Sequence, residues 1–468
     1  MQYISTRGGM KPASFSDVVL MGLAPDGGLT LPESYPRFSR SELESFRRLD
    51  YSNLVFHILP KFIDGDIPPP DLEGIIGKTY TKENFGTEEI IPLEKIDHNL
   101  YLLDLSRGPT LAFKDVALQL LGNLFEYALK KKSTHINLLG ATSGDTGPSA
   151  EEAIDGRDHM TIQILSPLGR MSHFQAAQMY RKKGENITNT AVEGTFDDCQ
   201  DMVKALDKDP EFKAKYKLGT VNSINWARVA AQVVYYFKGY FAATDNNEQV
   251  VDFAVPTGNF GDILAGYIAK QMGLPIRHLY LATNENNVLE EFFRTGVYSP
   301  RSKTIHTSSP SMDITKASNF ERFLFDMVGK DTQKLNKYMA LVESGQPAKI
   351  SERYWERVQN SGIIAGTSTH RGRLYIIRAF YEKYNRLVDP HTADGIKVGY
   401  ENRDPDIPVI FLETAKPAKF EATIREAIGR PPEMPSWYDP GKDYKPDFVI
   451  KAGDINGLKR IITQRAIQ

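Results

Sequence analysis

The sequence predicts an α/β protein built on mainly parallel sheets, and two observations carry that prediction. A unit recurs in which a short β-rich run leads into a Gly/Ser/Thr loop and then into a helical pattern, the order found in parallel α/β sheets. The chain, at 468 residues, is also long enough for two or three domains, and its 41% hydrophobic and 25% charged content suits a globular protein. No internal repeat or low-complexity segment competes with this reading.

The elements follow in order. Residues 1–95 are punctuated by proline and glycine, with Pro68, Pro69 and Pro70 in a row, and are expected to form an N-terminal subdomain. Residues 115–132 place Leu118, Leu121, Phe125 and Leu129 on one helical face. The first full unit is a strand over 134–139, a loop over 140–147 and a helix from Pro148, a residue favoured in a first turn. The second is a strand over 161–165, a loop over 166–170 and a helix from Ser172, with Gln175 completing a capping box and Gly184 as C-cap. A third unit has a strand over 250–255, a loop over 256–261 and a helix over 262–272 closed by Gly273; a fourth has a strand over 408–412 and a helix to Ile428, ended by Gly429. Residues 284–362 lack the unit and read as a mainly helical insertion. The expected division is 1–95, 96–240 and 241–468, the last carrying that insertion.

Composition excludes several classes. Lys+Arg 57 against Asp+Glu 59 leaves a net charge of -2, so there is no basic excess for nucleic acid. The run from Lys130 to Lys132 ends a helical pattern, where cations suit the dipole. A single cysteine, Cys199, permits no intrachain disulfide and is expected to be an inert packing residue in a reducing compartment. No apolar run after Met1 resembles a secretory signal and none is long enough to span a membrane, so the expected location is the cytoplasm and the Asn186 to Thr188 sequon is read as chance. The nine histidines show no zinc spacing, and no metal is expected.

Loops that precede helices suit anionic small molecules, because free N–H groups and the helix dipole both favour negative charge. None matches a nucleotide-binding glycine motif. Pro256-Thr-Gly-Asn-Phe-Gly-Asp262 is either a phosphate cradle or a tight turn whose glycines relieve φ strain. Ala141-Thr-Ser-Gly-Asp-Thr-Gly147 offers three hydroxyls and a carboxylate, more than capping one helix requires. Lys114 opens an apolar helix at its positive end, where a desolvated amine loses proton affinity and becomes a neutral nucleophile; a solvated surface lysine is the alternative.

Together with Tyr3-Ile-Ser-Thr-Arg-Gly8, Asp26-Gly-Gly-Leu29, Gly108-Pro-Thr-Leu-Ala-Phe-Lys-Asp115, Asp389-Pro-His-Thr-Ala393 and Thr414-Ala-Lys-Pro-Ala-Lys-Phe420, these stretches resemble the threonine synthase family, in the family's order. The resemblance implies the fold of the tryptophan-synthase β-subunit type: two three-layer α/β domains flanking a pyridoxal 5'-phosphate cleft, plus the N-terminal subdomain. It implies that Lys114 forms the Schiff base with the cofactor, that Gly258, Asn259, Phe260, Gly261 and Asp262 hold the cofactor phosphate, and that Thr414 faces the pyridine nitrogen. It assigns Thr142, Ser143, Asp145 and Thr146 to the substrate carboxylate. A second phosphate site falls to Ser166, Arg170 and Ser172, with Asn222, Ser223, Asn225 and Arg228 as contributors. The implied reaction turns O-phospho-L-homoserine and water into L-threonine and phosphate, in a monomer or homodimer; a phospholyase or deaminating lyase of the same fold is the alternative. Two residues depart from the family pattern: Lys416 stands in place of the usual His, and Asp394 in place of an apolar residue.

Overall fold

Both kinds of sheet expected from the recurring unit are present in the computed structural model, which describes residues 1–181, 184–221 and 223–467. In chain order the strands are β1 (Tyr3–Ser5), β2 (Thr30–Pro32), β3 (Leu93–Asp97), β4 (Leu100–Asp104), β5 (Ile136–Ala141), β6 (Met160–Pro167), β7 (Ile187–Glu193), β8 (Leu218–Thr220), β9 (Val251–Pro256), β10 (Ile276–Thr283), β11 (Val297–Tyr298), β12 (Ala348–Lys349), β13 (Ile363–Thr367), β14 (Val409–Glu413) and β15 (Phe448–Lys451). A larger sheet runs β13-β10-β9-β14-β4-β3 and a smaller one β15-β7-β6-β5-β8. Every pairing in the two sheets is parallel except the β3–β4 hairpin at the edge of the larger one.

Strand side chains alternate between faces, and the cores follow that period. In the larger sheet Phe253, Val255, Ile410 and Leu412 join one core, while Ala254, Val409 and Phe411 join another beneath the helices His370–Tyr384 and Pro390–Asn402. In the smaller sheet Leu138, Ile162 and Ile164 belong to the first of those cores; Leu139, Leu165 and Val192 face Cys199, Met202 and Leu458 on the opposite side. One continuous core therefore lies between the two sheets and takes in the helices Lys114–Lys131 and Trp226–Ala243. Close helix approach is built into the sequence at Gly122, where an added Cβ would sit 2.1 Å from the Ala153 carbonyl oxygen.

Sheet pairing crosses the expected boundaries at two places. β4 lies inside the expected 96–240 segment yet pairs with β14, and β15 lies near the C-terminus yet pairs with β7. Parallel strands need no sequence neighbour, so periodicity says nothing about which sheet receives them. Gly184 is not a C-cap: the helix His173–Tyr180 ends earlier, at Arg181. The Ser172 capping box is formed as expected. No described helix is long and apolar enough to cross a membrane. Burial pushes the Cys199 thiol up to about 12, which leaves it inert.

Arg322 ties three regions together inside this core. Fully buried, it donates to the Thr30 carbonyl at 2.9 Å, Asn319 Oδ1 at 2.6 Å and the Ile224 carbonyl at 2.6 Å, so β2, the insertion and the turn before Trp226 share one guanidinium. Arg322→Met should lower the unfolding free energy by about 3 kcal/mol, read by urea titration, because it strands buried acceptors. Arg322→Lys should recover only part of the loss, since a single ammonium cannot reproduce the planar fork.

Candidate active site

The segment before the helix Lys114–Lys131 is stitched to the segment after β14. Phe113 donates its N–H to the Thr414 carbonyl at 2.8 Å, Lys416 donates to the Leu111 carbonyl at 3.1 Å, and Ala112 and Ala415 form a bridge between these bonds. Lys114 and Thr414 are thereby neighbours. Asp115 fixes the approach: its buried carboxylate accepts the Thr110 N–H at 2.8 Å and hydroxyl at 2.7 Å, and the Ser149 hydroxyl at 2.6 Å.

Lys114 lies 12% exposed with its Nζ 3.7 Å from Asp145 Oδ2. Burial lowers its proton affinity and Asp145 opposes that effect, while the Lys419 and Arg228 cations reinforce it. The surface-lysine alternative does not describe this residue. The helix that follows β5 starts at Thr146, two residues before Pro148, and Asp145 occupies its N-cap position without capping it. Its carboxylate instead accepts the Gln175 amide at 3.1 Å and the Ser311 hydroxyl, and faces Lys419 Nζ at 3.2 Å. Burial alone would push the Asp145 carboxyl up, but Lys419, Lys114, His391 and the Ser311 hydroxyl hold it well below the ordinary carboxylate range.

The loop after β9 points its helix N-terminus into the same region. Phe260 takes a left-handed backbone at φ 63, and its ring packs on Phe320 and Phe323, so only its backbone can serve an anion. The first-turn N–H groups of the helix Gly261–Gln271 have no acceptor within the helix, the arrangement a phosphate requires. Asn259 is exposed, and its carbonyl accepts from Asn319. The Thr414 hydroxyl is buried without a hydrogen-bond partner, and no side chain caps the turn Pro417–Phe420 that follows it. An unpaired buried hydroxyl beside a desolvated lysine and a helix N-terminus fits pyridoxal phosphate: a ring nitrogen, an aldehyde and a phosphate find one group each.

The substrate-side residues divide. The Thr142 hydroxyl accepts from the Gly144 and Gly147 N–H groups and so shapes the loop, while Ser143 and Thr146 remain half-buried. Gly144, at φ 147, leaves no room for a Cβ, which would meet the Gln175 side chain at 2.5 Å. Ser166 and the Tyr180 hydroxyl are 2.7 Å apart, Ser172 is committed to its cap and to the Lys419 carbonyl, and Arg170 is exposed near Asp198. Asn225 caps the helix Trp226–Ala243 and donates to the Val19 carbonyl, Ser223 pairs with Ser318, and Asn222 lies outside the described residues. Arg228 differs: it is buried near Lys114, and its Nε and Nη1 have no partner.

Four side chains at the site carried no assignment from the sequence: Lys419, His391, Asp389 and Ser311. His391 Nε2 accepts the Ser311 N–H at 3.0 Å, which puts the ring proton on Nδ1, 2.8 Å from Asp389 Oδ1. Lys419, His391 and Asp389 sit within motifs already quoted; Ser311 lies in the insertion, where no pattern marks it. The two departures from the family pattern are both ion-paired. Lys416 bridges Asp104 at 2.7 Å and Glu413 at 3.1 Å, and Asp394 meets the buried Arg373 at 2.8 Å.

Asp262 turns away from the phosphate loop to accept the Tyr235 and Tyr236 hydroxyls, leaving only its N–H for a phosphate. Burial pushes its carboxyl from 3.8 up to about 6, against those two hydrogen bonds. The folded chain thus binds this proton more tightly than the unfolded chain, so the contribution is full below pH 3.8 and is lost as the pH rises through 6. Asp262→Asn should flatten the stability profile across that window by about 3 kcal/mol, read by urea unfolding at a series of pH values.

Known proteins resemble this chain in sequence and fold. Residues 2–80 match the family described as "Threonine synthase N terminus", residues 83–373 "Pyridoxal-phosphate dependent enzyme" and residues 392–462 "Threonine synthase, C-terminal". A threonine synthase of Methylobacillus glycogenes is 52% identical over 99% of this chain and 100% of its own. The crystal structure of a threonine synthase from Brucella melitensis with bound pyridoxal phosphate superposes with a TM-score of 0.95 at 40% identity, covering 100% of both chains. The yeast threonine synthase structure gives 0.90 at 35% identity, over 99% of this chain and 98% of its own. With its N-terminal, central and C-terminal parts all matched and relatives aligned end to end, the chain belongs to the threonine synthase family.

Proposed function

We propose that this protein converts O-phospho-L-homoserine and water to L-threonine and phosphate, with pyridoxal 5'-phosphate attached at Lys114. The observation that carries the assignment is the pairing of two segments by the backbone bond from Phe113 to Thr414, one ending in the desolvated Lys114 and the other carrying the buried, unpaired Thr414 hydroxyl.

When bound, the cofactor supplies the conjugated system that stabilises negative charge on the amino acid's carbons. The chain's residues do the rest. N–H groups of the segment from Gly258 to Asp262 hold the cofactor phosphate, and the Thr414 hydroxyl meets the ring nitrogen. The loop carrying Ser143, Gly144 and Thr146 takes the substrate carboxylate, in the shape that Thr142 and Gln175 impose. Arg228 brings two unpaired donor atoms to the substrate phosphate, a role its planar fork suits. Across the reaction Cγ loses phosphate and gains a proton, Cβ loses a proton and gains hydroxyl from water, and Cα gives up and regains a proton. Lys114, once displaced by the substrate amine, is the base and acid for these transfers, because its environment favours the neutral amine. A cytoplasmic location, on the sequence grounds given above, and a monomer or homodimer complete the proposal.

Incubation with O-phosphohomoserine should release phosphate and threonine in equal amounts; ammonia with 2-oxobutyrate would instead identify a deaminating lyase. Borohydride treatment of the holoenzyme should label the peptide containing Lys114, and a label on another lysine would refute the assignment. Thr414→Val should weaken cofactor affinity by about 0.5–1.5 kcal/mol without destabilising the cofactor-free chain, since the lost hydroxyl has no protein partner. Arg228→Gln should spare cofactor binding and raise KM or lower kcat for the phosphorylated substrate, as steady-state kinetics would show.

A further inference from the structure

Lys419 is a fully buried lysine that the reaction just described does not use. Its Nζ donates to the Thr110 carbonyl at 2.8 Å and to Gln178 Oε1 at 2.7 Å, and lies 3.2 Å from Asp145 Oδ1. Three acceptors, one a carboxylate, match the three donors of an ammonium and exceed the two N–H groups of a neutral amine. Asp145 is correspondingly divided. Oδ1 takes Lys419 and the Gln175 amide, whereas Oδ2 takes the Ser311 hydroxyl and faces Lys114.

We propose that Lys419 is a positioning residue for the chemistry at Lys114: a permanent buried cation that claims one oxygen of Asp145, fixes the substrate loop, and leaves Lys114 only part of that carboxylate's charge. The consequence for Lys114 follows from the groups around it. Asp145 and Asp115 favour its protonated form; burial, Lys419 and Arg228 oppose it. Without Lys419, Asp145 would have Lys114 as its sole lysine partner and would hold the proton there, where the reaction needs a free amine. A lysine rather than an apolar side chain at this position therefore keeps a carboxylate available for loop positioning without making it a proton trap.

This inference rests on Lys114 being the attachment lysine, which borohydride labelling tests separately. Its own test is made on the full-length chain freed of cofactor. The rate of acetylation of Lys114 by acetic anhydride is followed against pH by peptide mass analysis, which reports the proton affinity of that amine directly. Lys419→Met and Lys419→Gln should raise the labelling midpoint by at least about one pH unit, a ten-fold gain in proton affinity, and Lys419→Arg should restore it. Circular dichroism and thermal unfolding establish that each variant is folded. An unchanged midpoint in a folded neutral variant would overturn the proposal. So would failure of both neutral variants to fold, since Lys419 would then be a structural ion pair only.

Discussion

The backbone hydrogen bond from Phe113 to Thr414 is the constraint on which the site depends. It joins the entrance of the helix Lys114–Lys131, which leads into β5 of the smaller sheet, to the exit of β14, a central strand of the larger one. Every other part of the site is measured from that junction. Asp115 anchors it from within the helix, and the segment leading to Lys419 continues from it. The helix N-terminus at Gly261 faces it from β9, the strand adjacent to β14. Because both sheets are parallel, their loops emerge at the carboxyl ends of the strands, and the junction brings those two ends together.

Several charged groups around the junction divide their charge between partners. Asp145 meets two lysines; Lys416 lies between two carboxylates; Arg373 serves both Asp394 and Glu285. Shared partners of this kind are sensitive to position, since a displaced carboxylate weakens one contact as it strengthens another. Burial makes each displacement costly, because the medium around these groups screens little.

Much of this was legible in the sequence, for identifiable reasons. Strand, loop and helix announce themselves locally: Val251–Pro256 is apolar except for Asp252 because both faces of a parallel strand are buried, and Ser172 with Gln175 writes a helix start into four residues. Lys114, Thr414 and the Gly258 to Gly261 loop stand in local motifs; Phe113, next to Lys114, bonds to Thr414, and β9, which runs into the loop, pairs with β14. What stayed hidden was long-range. Pairing of β4 with β14 and of β15 with β7 leaves no periodic trace. The resemblance groups Ser166, Arg170 and Ser172 as one phosphate site; in the fold the Ser166 and Ser172 hydroxyls make hydrogen bonds to Tyr180 and to the Lys419 carbonyl, and Arg170 is exposed. Asp394 looked like an anomaly until Arg373, in the preceding helix His370–Tyr384, supplied its counter-charge.

The return of the chain to the smaller sheet at β15 has a mechanical consequence. The backbone passes between the two sheets after β4, again before β9, and a third time after the helix Glu421–Ile428 on its way to β15. Two bodies joined by one tether can swivel and twist freely; three tethers at separate points, wrapped around one continuous core, remove most of those degrees of freedom. Asp145, on the loop after β5, meets Ser311 of the insertion and Lys419 beyond β14, both on segments that follow strands of the larger sheet. The third crossing thus works as a clasp that keeps one carboxylate against the same two partners.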